Sequence, residues 1–452
     1  MKGLTIYTAD FALSGMIWGK VLRSPLPHGR IIRINTTRAK ALPGILAVLT
    51  AQDIPGTLTG RCLQDMPVLA RDRVRFVGEK VAAVAAENPD IAEEALSRID
   101  VEYEELPAVF DPLAAMREDA PILHDQLATY RGLPRPVPQI SNCHSHVRWG
   151  LGNTEKGFRE AAYVFEHTFT TPMVHQGYIE PPAAVVTLDP TGQVQVWSNN
   201  KAPFLLRVQL ANVLGLPESQ IKINLLPIGG DFGGKGAAMD VPLCYYLAKM
   251  TGRPVKMVMT NSDDLLAGNP RHASIIRLKT GITKAKTICF REAHAVFNSG
   301  AYGAMKPSPI VNLPGASMAG GCYRIPHVKI DAFSIYTNAV PCGYYRAPGE
   351  PQMIFAVESQ MDMLAAELGI DSYEFRLRNG LREKDEIVSR RHHQHPQMQP
   401  GTMGLENSNI SIRGEPVENV GFREILERAA LASHWKKPKR KFVGRGMAAT
   451  HR

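Results

Sequence analysis

The sequence predicts an α+β protein built from more than one domain. Its 452 residues exceed one ordinary domain, which holds roughly 100–200. Short β-type runs alternate with helical runs along the chain, with soft boundaries. Hydrophobic residues make up 44% and charged residues 21%, the balance of a globular chain able to bury several cores.

The elements follow in order. Met16 to Leu22 and Arg30 to Asn35 read as strands around the turn Ser24-Pro25-Leu26-Pro27. Thr36 or Thr37 is placed to cap a short helix that ends before Pro43-Gly44. Ile45 to Leu49 and Lys80 to Ala86 are apolar strands. Asn88-Pro89-Asp90 then opens a helix, with Asn as N-cap, Pro in the first turn and Ala92, Ala95, Leu96 and Ile99 on one face. Residues 1–120 thus form a compact first domain. Residues 121–147, with Pro134, Pro136 and Pro138, have the composition of a connector. A second domain spans residues 148–382. Tyr163 to Thr171 alternates as a strand, and Asp189-Pro190-Thr191-Gly192 turns a hairpin between Ala184–Leu188 and Gln193–Ser198. Helices are expected over Phe204–Leu214, Met239–Met250 and Gln352–Leu368, each followed by glycine at 215, 252 or 369. Ile221–Leu226 and Val255–Met259 read as strands. Residues 383–452 hold an exposed loop carrying His392, His393 and His395, a helix over Phe422–Ala432, and an ending, KFVGRGMAATHR, that reads as the start of a strand. The three histidines are a weak metal-ligand pattern.

Bulk properties narrow the function classes. The net charge is +9, but the one dense basic run, Lys436 to Lys441, reads as a solvated linker. Other basic residues are scattered without interleaved aromatics, so no nucleic-acid partner is expected. Six cysteines at positions 62, 143, 244, 289, 322 and 342 form no C-x-x-C pair, against an iron–sulfur cluster or structural zinc in this chain. Their spacing suits a reducing cytosol. The N-terminus is too polar for a signal peptide, and no apolar run approaches the roughly 18 residues of a membrane span. The expectation is a cytoplasmic protein with no membrane partner.

The densest signal is Gly229 to Gly236, GGDFGGKG, between an expected strand and an expected helix. Such a loop lets backbone N–H groups approach an anion, with the helix N-terminus aimed at the same ligand. The spacing G-x-x-x-x-G-K nearly matches a P-loop, but Gly236 stands where Ser or Thr would hold magnesium. A tight turn between packed elements is the plain alternative. Phe232 amid the glycines suggests a side chain laid against a flat ligand, or simple packing.

GGDFGGK resembles the G-G-x-F-G-G-K signature of the molybdenum hydroxylases: xanthine dehydrogenases, aldehyde oxidases and their bacterial relatives. Further segments agree in order. Ile6–Ile31 and Val77–Val109 resemble the two halves of the family's α/β hammerhead domain. Thr171–Pro181 (TPMVHQGYIEP) resembles the entry into its molybdopterin-binding domain. Tyr344–Asp362 (YYRAPGEPQMIFAVESQMD) resembles its R-x-x-G-x-P-Q signature, and Asp371–Asp385 the stretch after it. The implied fold is an α/β hammerhead domain followed by a mixed α+β molybdopterin-binding domain, with the family's second cofactor domain missing or only begun.

The resemblance implies molybdenum carried on a pterin, as molybdopterin or its cytosine dinucleotide, and no protein ligand to the metal. It implies hydroxylation of an electron-poor carbon with oxygen from water. A 2Fe-2S subunit and an FAD subunit would carry the electrons away. By position, Gly230, Phe232, Gly233 and Gly234 form one cofactor loop, and Arg346, Ala347, Pro348 and Gly349 a second. Arg346 is also a candidate for holding a substrate oxyanion, while Gln176 and His175 are weaker candidates at the cofactor edge.

Two departures qualify the match. The family's G-x-G-E segment, whose glutamate is the catalytic base, has no counterpart; Gly349-Glu350 belongs to the earlier signature. The base is therefore expected outside this chain, on a second molybdopterin-binding subunit carrying the missing half. Purine-oxidising members carry an acid directly after the glycine motif and an arginine in the region of Ile310 to Met318. Here stand Gly236 and no arginine. The expected substrate is an N-heterocycle, an aromatic acid or an aldehyde. A non-catalytic truncated remnant or assembly protein of the same fold is the alternative, and a nucleotide-binding ATPase a third reading. Co-purifying molybdenum and pterin, neither of them, or magnesium-dependent nucleotide binding would separate the three.

Overall fold

Two β-sheets organise the chain, and their strands come from segments far apart in sequence. The computed structural model describes residues 3–133, 140–388, 411–412 and 414–450. The candidate histidines 392, 393 and 395 and prolines 134, 136 and 138 lie outside them.

The first sheet has seven strands in the spatial order Ile221–Asn224, Val194–Ser198, Ala183–Leu188, Val255–Val258, Ile17–Arg23, Lys80–Ala86 and Ile45–Thr50. All seven residues of Lys80–Ala86 (KVAAVAA) are buried, as expected for an apolar run packed on both faces. Ile17–Arg23 pairs antiparallel with Lys80–Ala86 on one side and parallel with Val255–Val258 on the other. One sheet thus joins residues 17–86 to residues 183–258. The junction is close: a Cβ on Gly19 would lie 2.7 Å from Met257 Cγ. The helix Val241–Thr251 packs against this sheet, and its core holds Leu243, Cys244, Leu247, Ile17, Val186 and Leu49.

Local signals place these elements well. Asn88 Oδ1 accepts the Ile91 N–H at 2.9 Å and caps the helix Pro89–Ser97. Gly215 and Gly252 end their helices at φ 68° and 66°. In the short helix Thr37–Lys40, Thr36 occupies the N-cap without a side-chain bond. Asn35 Oδ1 instead accepts the Thr37 N–H at 3.0 Å.

The second sheet runs Tyr163–Thr171, Ser274–Ile282, Ile288–Gly300, His327–Tyr336, Cys143–Leu151 and Ser411–Ile412. The helix Glu350–Glu367 and the 3-10 turn Pro314–Gly320 cover one face through Met353, Val357, Met361 and Leu313. The long pair Ser274–Ile282 and Ile288–Gly300 escaped sequence reading because buried polar residues, Arg291 and Thr280, interrupt its apolar pattern. Arg291 Nε donates to Thr280 Oγ1 at 3.0 Å and Nη1 to the Ala319 carbonyl at 2.9 Å.

Two expectations need revision. Inside the expected connector, Leu123, Leu127, Tyr130 and Leu133 are buried together against Ile335 and Tyr336. The segment then enters the strand Cys143–Leu151; proline content had masked its apolar anchors. Residues 443–450 form no strand. The Ala449 N–H donates instead to Glu358 Oε2 at 2.8 Å.

Candidate functional site

The glycine loop follows the edge strand Ile221–Asn224 and folds around one of its own side chains. Asp231 accepts N–H bonds from Gly233 at 2.8 Å and Lys235 at 2.7 Å, and its carbonyl accepts the Gly234 N–H at 2.8 Å. The Gly229 N–H donates to Glu180 Oε2 at 2.7 Å. Four loop donors are therefore spent within the protein, contrary to the expectation that they are free to cradle an anion. Lys235 Nζ also points inward, 2.9 Å from Glu180 Oε2 and 4.6 Å from the Tyr178 ring centroid, with its side chain 3% exposed. A P-loop lysine must reach phosphate; this one is sealed away, which removes the ATPase reading. The next helix begins only at Val241, and Asp240 at its cap pairs with Lys80 Nζ at 3.3 Å.

Glycine is required at two of these positions. Gly230 has φ 94°, and a Cβ there would lie 2.9 Å from Tyr178 Cβ. Gly233 has φ 115°, and a Cβ would lie 2.4 Å from Tyr344 Cδ1 and 2.7 Å from the Tyr344 carbonyl oxygen. The squeeze turns Phe232 outward at φ 47°, where it is 43% exposed.

The second loop locks onto the first. The Arg346 N–H donates to the Phe232 carbonyl at 2.9 Å. Arg271 holds the loop from below, donating to the Arg346 carbonyl at 2.7 Å and the Ala347 carbonyl at 3.2 Å. Ala347 is left at φ 55°, flanked by Pro348, and Gly349 at φ 79° caps the helix Glu350–Glu367. The exposed Arg346 guanidinium lies 5.7 Å from the Phe232 ring centroid and has no ion pair among the described residues. Gln176 bridges the two loops. Its Nε2 donates to the Tyr344 carbonyl at 3.1 Å and the Asn269 carbonyl at 2.9 Å, while its buried Oε1 has no partner. Asn269 Nδ2 donates to the Gly234 carbonyl at 3.0 Å, and its Oδ1 is likewise unpaired. His175 turns away from the loops: Nδ1 accepts the Gly177 N–H at 3.1 Å, and Nε2, buried without a hydrogen-bond partner, lies 3.2 Å from Asp264 Oδ2.

The glycine loop, the Arg346–Gly349 loop and Gln176 therefore converge, with Phe232 and Arg346 exposed, whereas His175 does not join them. Sequence reasoning missed Asp231, Glu180, Tyr344, Asn269 and Arg61, whose guanidinium lies against Gly236. Asp231, Glu180 and Tyr344 lie inside quoted motifs and were legible there; Asn269 and Arg61 carry no local signal. The face suits a planar, hydrogen-bonding, anionic group such as a pterin. It presents an exposed aromatic ring, an unpaired guanidinium above it and two buried amide oxygens awaiting donors. Among the described residues no cluster of three or more His, Cys, Asp or Glu is placed to hold a metal ion. No described helix is long and apolar enough to cross a membrane.

Comparison with known proteins places the chain in a family. The family described as molybdopterin cofactor-binding domain matches residues 138–380, and the aldehyde oxidase and xanthine dehydrogenase a/b hammerhead domain matches residues 2–107. The xanthine dehydrogenase molybdenum-binding subunit of Escherichia coli O157:H7 is 30% identical over 97% of this chain and 54% of its own length. The nicotinate dehydrogenase large molybdopterin subunit of Eubacterium barkeri is 31% identical over 94% of this chain and 95% of its own length. Among solved structures, quinoline 2-oxidoreductase from Pseudomonas putida 86 superposes with a TM-score of 0.81 at 26% identity, over 96% of this chain and 52% of its own. Reconstituted CO dehydrogenase from Oligotropha carboxidovorans gives 0.81 at 27%, over 96% and 52%. The chain thus spans about half the length of three of these four relatives, and nearly all of the nicotinate dehydrogenase subunit. With its hammerhead and molybdopterin-binding domains, this chain belongs to the molybdenum hydroxylase family of the xanthine dehydrogenase/aldehyde oxidase type.

Proposed function

We propose that this chain is one half of a split molybdopterin-binding subunit in a hydroxylase acting on an N-heterocycle, an aromatic acid or an aldehyde. The observation that carries the reading is the single face formed by Gln176, Gly230–Gly234 and Arg346–Gly349, with Phe232 and the Arg346 guanidinium exposed on it. A relative of matching length is itself a molybdopterin subunit, which supports a chain of this size working as a subunit.

When bound, the molybdenum-pterin group supplies the redox chemistry and activates water-derived oxygen. The residues of this chain bind and orient it. Gln176 Oε1 and Asn269 Oδ1 accept hydrogen bonds from the bound group, Phe232 packs against its edge, and Arg346 offers a fork of donors to an oxyanion. No G-x-G-E segment occurs among these residues, so the proton-accepting glutamate would come from a second polypeptide. Iron–sulfur and FAD subunits accept the electrons.

The test is native purification of this chain from its own cells, with metal and pterin analysis and identification of partners in the same sample. Molybdenum, pterin and a partner bearing a G-x-G-E segment are the expected result. A lone chain with neither molybdenum nor pterin would overturn the enzyme reading in favour of a non-catalytic protein of the same fold.

A further inference from the structure

Arg61 lies between the short strands Leu58–Thr59 and Met66–Pro67, far in sequence from the glycine loop. Its backbone is pinned: the Arg61 N–H donates to the Ala304 carbonyl at 2.9 Å, and at Gly60 a Cβ would lie 1.9 Å from the Leu63 carbonyl oxygen. The side chain reaches the glycine loop. A Cβ on Gly236 would lie 2.8 Å from Arg61 Cζ and 3.0 Å from Nη2. The guanidinium thus occupies the room that any other residue at 236 would fill. It is half-buried, its Nε is sequestered without a hydrogen-bond partner, and among the described residues no carboxylate lies within ion-pair distance. Asp231, a neighbouring acid, is already engaged by Lys201 Nζ at 3.1 Å and by two loop N–H groups. A desolvated guanidinium left unpaired is costly, and the usual compensation is an oxyanion held by two N–H donors.

We propose that Arg61 binds the carboxylate of the substrate, which makes it a specificity-determining residue and narrows the substrate class to aromatic or heteroaromatic acids. This rests on the hydroxylase reading above. An oxyanion at this position has two sources, a substrate carboxylate or a phosphate of the pterin cofactor, and the test separates them.

The experiment uses the complex purified from its own cells, as wild type, Arg61→Gln, Arg61→Lys and Gly236→Ala. The last keeps the charge and pushes the guanidinium aside, so it serves if Arg61→Gln fails to fold. Benzoate and uncharged benzamide are titrated by calorimetry, and molybdenum and pterin are assayed in each sample. Loss of a charge-assisted pair predicts benzoate affinity lower by at least about tenfold in Arg61→Gln and Gly236→Ala. Partial rescue is expected in Arg61→Lys, with benzamide binding and cofactor content unchanged. Unchanged benzoate affinity in a cofactor-loaded Arg61→Gln overturns the proposal. So does a fall in pterin content, which would assign Arg61 to the cofactor phosphate. Absence of molybdenum from the wild type would instead overturn the hydroxylase reading itself.

Discussion

Gly233 shows how narrowly the loop is specified. Replacing it with alanine puts a methyl group against the Tyr344 backbone and forces a residue with a Cβ to φ 115°. Strain of this kind costs roughly 1–3 kcal/mol. Gly233→Ala is expected to lower the melting temperature by several degrees and to cut pterin content sharply; a fully loaded variant would contradict so close an approach. Lys235 makes the complementary point. Its motif position suggests a ligand, yet its ammonium neutralises Glu180, and both side chains are under one-tenth exposed. Lys235→Met strands a buried carboxylate, for which about 3–5 kcal/mol of destabilisation is expected. The double variant with Glu180→Met should be less destabilised than the sum of the singles, measured by denaturant unfolding. Simple additivity would mean that the two groups do not interact.

At the scale of elements, the second sheet buries a cation. Lys306 follows the strand Ile288–Gly300. Its Nζ donates to Ser299 Oγ at 2.6 Å and lies 3.1 Å from His144 Nε2 on Cys143–Leu151. Burial pulls its pKa from 10.5 down to about 8, only partly offset by the charges of Cys342 and Asp65. The folded chain therefore releases this proton earlier than the unfolded chain. Stability from this group is fully present above pH 10.5 and is lost as the pH falls through about 8. Measured against Lys306→Met, the wild type should gain thermal stability between those two pH values. A constant difference across that window would refute the assigned burial effect. The cysteines and tyrosines that also titrate there are common to both proteins and cancel in the difference, except Cys342, whose thiol feels the Lys306 charge.

For the whole molecule, the seven-stranded sheet governs what can be cut. Ile17–Arg23 lies against Val255–Val258, so removing residues 1–120 strips three strands and bares the Val255–Val258 edge beside buried Val255 and Met257. An exposed apolar edge invites aggregation. A fragment starting at residue 121 is expected to be insoluble or to lack a cooperative unfolding transition. A soluble fragment with a sharp transition would mean that the two parts fold independently.

Most elements were legible because their signals are local. Asn88 announces a helix start, Gly215 and Gly252 announce helix ends, and Tyr163–Thr171 alternates as a half-buried strand should. The two candidate loops were legible as motifs too, since five glycines around Phe232 and the run Arg346 to Gly349 are short, dense patterns. The sequence by itself determined these elements and the family. Only the tertiary structure decided who meets whom: that Asp231 and Glu180 consume the loop's donors, that Lys235 is sealed inward, and that Arg61 fills the space beside Gly236. The physical reason is range. Caps and periodicities act within a few residues, whereas the pairing of distant segments is set by which buried faces fit together.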